Sequence, residues 1–131
     1  MTYRFFATAS LLLSTLAPAA ALDCTNANTQ AEMNQCAGES FQEADQALNQ
    51  AYGDLIGGYG EQEDLKEALR EAQRAWIRFR DAECDFRTFS SRMGSIYPTL
   101  RAGCLEDLTR ARTEQLREAG QCEEGDLSCN R

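Results

Sequence analysis

Apolar residues recur at three- and four-residue spacings along most of this chain, and the first such stripe comprises Met33, Ala37, Phe41, Ala44, Leu48, Ala51, Tyr52 and Leu55. That period marks one face of an α-helix. Thr29, with Glu32 three residues on, forms a capping box in which each side chain satisfies a free backbone N–H of the first turn. Gly57 and Gly58 are expected to end the helix. A second stripe, Leu65, Leu69, Ala72, Trp76, Phe79 and Phe86, predicts a helix over 61–89. On its opposite face Glu63 and Lys66, Glu67 and Arg70, and Glu71 and Arg74 lie three apart, pairs that add a few tenths of a kcal/mol each. Residues 90–97 contain Gly94 and lead to Pro98, which suits the first turn of a new helix and not the interior of an old one, so this segment is a loop. A third helix then runs to about residue 119 with Leu100, Cys104, Leu105, Leu108, Ala111 and Leu116 inward, and Gly120 ends it. There is no strand-like alternation and no repeat. The pattern predicts an all-α fold, a small disulfide-stapled antiparallel three-helix bundle with an up-down-up course.

The segment before these helices has a different character. Arg4, an apolar run over 5–16 and the small residues Ala19, Ala20 and Ala21 read as a signal peptide over 1–21, cleaved near Ala21. The run is interrupted by polar residues and Pro18 and falls short of the roughly 18 to 20 apolar residues that span a bilayer. Asp23 stands before Cys24, where a lipid anchor calls for a small residue. The expected product is a periplasmic or secreted protein without membrane insertion, with a helical domain over 22–120 and a short, acidic, disulfide-closed tail over 121–131.

All six cysteines (Cys24, Cys36, Cys84, Cys104, Cys122, Cys129) follow the leader, and an even count in an exported chain reads as a disulfide framework. Antiparallel packing gathers the first four at one end of the bundle. Pairing of Cys24 with Cys36, Cys84 with Cys104 and Cys122 with Cys129 fits best; a crosswise link such as Cys36 with Cys84 fits the same cluster. A zinc site is disfavoured, because the chain has neither a CxxC motif nor any histidine.

Charge narrows the partners. The formal net charge of −8 becomes −9 once Arg4 leaves with the leader, which argues against nucleic acid and anionic membranes. Residues 22–65 hold nine acids and no base, whereas 66–117 hold eleven bases against eight acids. That asymmetry has two readings: complementarity between the first helix and its neighbours, or an acidic face that steers a cationic partner. Catalysis lacks most of its parts, since there is no histidine, and paired cysteines offer no thiolate. A carboxylate pair of the glycosidase kind would have to come from Asp81, Glu83 and Asp85, yet Arg78, Arg80 and Arg87 lie beside them, which reads as salt-bridged surface. No catalytic residue, metal or cofactor is expected.

The order of motifs resembles the LprI-type lysozyme-inhibitor family of bacteria. The resemblance rests on Asp23-Cys24, the run from Thr29 to Ala37 through Cys36, then Ala44-Asp45, Leu48-Asn49 and Tyr52. It continues through Ala72-Gln73-Arg74-Ala75-Trp76-Ile77, Phe79-Arg80-Asp81-Ala82-Glu83-Cys84, Gly94-Ser95-Ile96, Cys104-Leu105, Leu108-Thr109 and Arg112-Thr113-Glu114. It covers nearly the whole mature chain and implies an envelope protein that blocks a lysozyme by protein contact, with a cationic c-type lysozyme as the named candidate. The alternative is an envelope interaction or stress-response protein with a different partner. Trp76, Phe79 and Tyr52 are expected in the core, and Asn49, Gln73, Arg74, Arg80, Asp81 and Arg112 as structural polar groups. The candidate partner-binding residues are Arg92, Gly94, Ser95 and Tyr97, on a loop held at its base by Cys84 and Cys104: Arg92 and Ser95 would approach the catalytic carboxylates of the enzyme, and Tyr97 would anchor the contact.

Overall fold

The structure, a computed structural model, describes residues 22–122 together with 125 and 127. Three helices follow in order, α1 (Gln30–Gly58), α2 (Glu63–Arg87) and α3 (Tyr97–Ala119), with 3-10 turns at Cys24–Asn26 and Phe89–Ser91. The leader over 1–21 and the expected bridge from Cys122 to Cys129 lie outside the described residues. The helices run up, down and up: Gln30 and Asn34 at the start of α1 bond Thr99 at the start of α3, whereas Leu55 and Tyr59 at the end of α1 pack with Leu116 near the end of α3.

The capping box forms as the sequence implies. Thr29 Oγ1 accepts from the Glu32 N–H at 3.2 Å, while Glu32 Oε2 accepts from the N–H groups of Thr29 and Asn28, both at 2.9 Å. These bonds favour the ionised form and hold the Glu32 carboxyl below its usual range, the Thr29 backbone bond contributing most. At its other end α1 stops at the glycine pair, with Gly58 its last residue and Tyr59 the cap, and Leu55 and Tyr59 are buried there. The reversal falls on Gly60, whose φ of 55° is left-handed and open to glycine at no steric cost.

The closest packing is between α1 and α3. Ala44, Leu48 and Ala51 face Leu105, Thr109, Thr113 and Leu116, all buried, and the small residues let the two backbones approach. Thr109 and Thr113 were not among the expected inward positions, and Leu100 and Ala111, which were, stay exposed. The hydroxyl of Thr113 donates to the Thr109 carbonyl at 2.9 Å, so the polar atom is satisfied within the helix and the methyl packs.

On α2 the structure corrects the expected face. Its inward line is Leu65, Leu69, Gln73, Trp76, Arg80 and Cys84, and Phe79 and Phe86 are 56% and 76% exposed. The helix is turned by about one residue because it stands off from the other two, and only long side chains close the gap. Arg80, 8% exposed, fills it with its stem and guanidinium.

Candidate functional site

Two disulfides frame the end of the bundle where α2 gives way to α3. Cys24 bonds Cys36 and Cys84 bonds Cys104, each with Cα atoms 5.6 Å apart, so the preferred pairing of these four holds and the crosswise one does not form. Cys84 is fully buried. Between Cys84 and Cys104 lies a loop over 88–97 built from successive tight turns. Thr88 anchors its start by donating its hydroxyl to the Cys84 carbonyl at 2.7 Å, Gly94 N–H donates to Ser91 O at 2.8 Å, and Tyr97 N–H to Gly94 O at 3.1 Å. A Cβ at Gly94 would stand 3.3 Å from Ser91 O, so glycine is the residue that lets the turn close without displacement.

Helix α1 pins the far side of the loop. Asn34 Nδ2 donates to Ser95 O at 3.1 Å, Thr99 donates to Asn34 Oδ1 at 2.6 Å, and Gln30 Nε2 donates to both Asn34 Oδ1 and Thr99 Oγ1 at 3.0 Å. The tip is left in solvent. Met93 is 92% exposed and Phe89 58%, with the Arg92 guanidinium stacked 3.9 Å from the centre of the Phe89 ring. Of the four expected contact residues, Arg92, Gly94 and Ser95 lie on the exposed part, while Tyr97 is half-buried where α3 begins. Phe89 and Met93 are additions; their signal in the sequence was large apolar residues inside a segment too short and too turn-rich to bury them.

Arg80 ties the three helices together. Its Nη1 donates to Asp45 Oδ1 of α1 at 3.3 Å and to Thr109 Oγ1 of α3 at 3.2 Å, and its Nε donates to Asp81 at 2.9 Å. The same group lies 5.3 Å from the ring centres of Phe41 and Trp76. Gln73 accepts from Arg112 at 3.1 Å, and burial lowers the Arg112 guanidinium from its ordinary range. Arg80, Gln73, Arg112 and Asp81 are thus interhelical or adjoin an interhelical bond. Asn49 and Arg74 are not: Asn49 is exposed and donates to Asp45 on its own helix, and Arg74 reaches Glu67 on its own helix and forms no pair with Glu71. Tyr52 and Trp76 pack against the core, and Phe79 does not.

The acid–base layout is now resolved. Asp81, Glu83 and Asp85 each have an arginine, respectively Arg80, Arg87 and Arg101, and the Asp85 hydrogen bond raises the Arg101 pKa. On α1, by contrast, only Asp45 pairs with another helix, and Glu39, Glu43 and Asp54 have no ion-pair partner among the described residues. The acidic outer face of α1 is not neutralised internally. A separate cavity of about 540 Å³ opens at the opposite end of the bundle, beside Leu55, Tyr59, Leu116 and Gly120, with Asp54 and Arg117 as its ionisable lining.

The family model described as lysozyme inhibitor LprI matches residues 21–116, the whole stretch that carries both described disulfides and the loop. The chain belongs to the LprI family. It is also 40% identical over 127 residues to an uncharacterised protein of Rhizobium meliloti (strain 1021), a match covering 83% of this chain and 89% of that one. A crystal structure of a DUF1311 family protein from Pseudomonas putida KT2440 superposes with a TM-score of 0.68 at 27% identity, covering 72% of this chain and 97% of the other. As an LprI protein, the chain has a family description that names inhibition of lysozyme.

Proposed function

We propose that this LprI-family protein acts in the periplasm or outside the cell, where it binds a lysozyme and blocks it by direct contact, with the 88–97 loop as the inserting element. The observation that carries this reading is the construction of the loop. It is closed at its base by Cys84–Cys104, tied to α1 through Asn34 and Ser95, and presents Phe89, Arg92 and Met93 to solvent. A loop ordered before binding enters a concave cleft without the immobilisation cost of a flexible one, about 0.5 to 1.5 kcal/mol for each rotamer-rich side chain. Arg92 supplies a cation on a short projection, suited to the acidic catalytic groups that cleave a sugar bond. Tyr97, half-buried at the start of α3, supports the loop from beneath, and the apolar tip contact falls to Met93.

The unneutralised acids of α1 support the same partner class. A negative outer face accelerates encounter with a strongly cationic protein without needing to lie in the final interface. The test is a peptidoglycan lysis assay with c-type lysozyme and the mature, oxidised protein. Native protein slows lysis, and Arg92→Ala with Ser95→Ala raises the inhibition constant by about tenfold or more, the loss expected when a central interface arginine is truncated. Unchanged inhibition in the double variant removes the loop from the mechanism. Native protein that slows no class of lysozyme leaves the alternative, an envelope interaction protein with another partner.

A further inference from the structure

The face of α2 that turns away from the core carries an uninterrupted heptad seam. Ala68, Ala72, Ala75, Phe79, Ala82 and Phe86 follow one another at alternating spacings of four and three, and every position is apolar. Such spacing along a helix is the pattern that packs against a second helix in a coiled coil. Here the seam is left uncovered: Phe79 and Phe86 are more than half exposed, and Ala68, Ala72, Ala75 and Ala82 are exposed as well. From Ala68 to Phe86 it runs roughly 27 Å at 1.5 Å per residue. A soluble chain seldom leaves a stripe of this length in water without a partner for it.

We propose that this seam joins two copies of the chain, α2 against α2 in antiparallel register. The order of large and small residues argues for a second copy over any other helix. With the two-fold axis passing between Arg80 and Asp81, Phe79 meets the partner's Ala82 and Phe86 meets the partner's Ala75. Symmetry repeats each pair in reverse. Every ring then faces a methyl-sized position, so four layers fill without a ring-to-ring clash, and one seam supplies both members of each layer, as an isologous two-fold contact requires.

The charges beside the seam select the same register. Antiparallel helices bring the residues that precede the seam positions on one edge opposite each other. That places Arg78 against the partner's Asp85, twice. Arg78 has no ion-pair partner among the described residues, although Glu63, Glu67 and Arg74 on the same helix are paired. Asp85 uses Oδ1 for Arg101 and keeps Oδ2 available. On the other edge Trp76 meets the partner's Glu83, with no like charges opposed.

The experiment is sedimentation of the mature, oxidised protein over a concentration series, with far-UV circular dichroism of each variant. The native chain associates to a dimer. Phe79→Glu and Phe86→Glu keep the native helix signal, since both rings are in water in the single chain, and each raises the dimer dissociation constant more than about tenfold. Arg78→Asp weakens the dimer, and Arg78→Asp with Asp85→Arg restores it, because the exchange re-forms the same pairs in reversed sense. A native chain that stays monomeric up to about 1 mM, where an association worth some 4 kcal/mol would register, overturns the proposal. So does a dimer that survives both phenylalanine substitutions, or a charge exchange that fails to recover. Loss of lysozyme binding by Phe79→Glu or Phe86→Glu, with the native chain a monomer, would assign the seam to a different partner and equally overturn it.

Discussion

Arg80 is the residue on which the position of α2 depends. It is buried, it serves two carboxylates and a threonine hydroxyl, and it sits between two aromatic rings. Hydrogen bonds to a charged group contribute about 1.5 to 3 kcal/mol and a partly desolvated cation–π contact about 1. Arg80→Ala should therefore cost about 3 kcal/mol, read from urea unfolding of the oxidised protein. Arg80→Lys should recover less than half, because a single ammonium cannot fork to Asp45, Thr109 and Asp81 together. Glu32 gives a pH dependence of known sign. Its folded pKa lies below the ordinary 4.5, so its capping bonds stabilise above that value and are lost as the pH falls through the lowered folded one. Asp23, held down first by the Thr25 hydroxyl, and Glu63, by Lys66, act in the same direction. Between about pH 6 and about pH 3 the midpoint of denaturation should fall less in Glu32→Gln than in the native protein, since the amide keeps an acceptor oxygen that does not titrate there.

At the scale of elements, the three helices are held in different ways. The α1–α3 pair rests on close packing of small and branched residues, whereas α2 is attached through long side chains and one disulfide at its C-terminal end. Cys84–Cys104 closes a separation of 20 residues, for which the restriction of the unfolded chain contributes about 3 kcal/mol. Cys84→Ala with Cys104→Ala should lower stability by about that amount. Inhibition should fall further than the loss of folded protein accounts for, because the same bond defines the base of the loop; comparing the inhibition constant with the folded fraction measured by circular dichroism separates the two effects. Removing Cys24–Cys36, which ties a short N-terminal segment to α1 and does not close the base of the loop, should lower stability and leave the inhibition constant of the folded fraction near its native value.

The whole molecule combines an acidic α1 face with a mixed-charge α2 and α3. Long-range attraction between exposed charges falls off over a Debye length of about 10 Å at 0.1 M salt. If the α1 acids steer a cationic lysozyme, raising the salt from about 0.05 M to about 0.5 M should slow association by tenfold or more and change dissociation little, a split that stopped-flow mixing resolves. Glu39→Gln with Glu43→Gln should reduce the low-salt association rate and leave the high-salt rate in place. An association rate indifferent to salt would confine α1 to a structural role.

The sequence alone determined the number of helices, their order and the capping box at Thr29 and Glu32, while the choice between the pairings open to Cys24, Cys36, Cys84 and Cys104 was made only where the helix ends meet. The helices and the cap rest on local spacing, and neighbours in sequence suffice to specify them. The inward direction of α2 was decided only in three dimensions. Its apolar period allows two faces about one residue apart, and the choice depended on the width of the gap to α1 and α3, which Arg80 and Trp76 fill and Phe79 and Phe86 do not. The same holds for Thr109 and Thr113, polar by composition and buried because two backbones approach there. Met93 and Phe89 stand in solvent for the converse reason: the loop turns too tightly, and too near the disulfide, for either side chain to fold back onto the core.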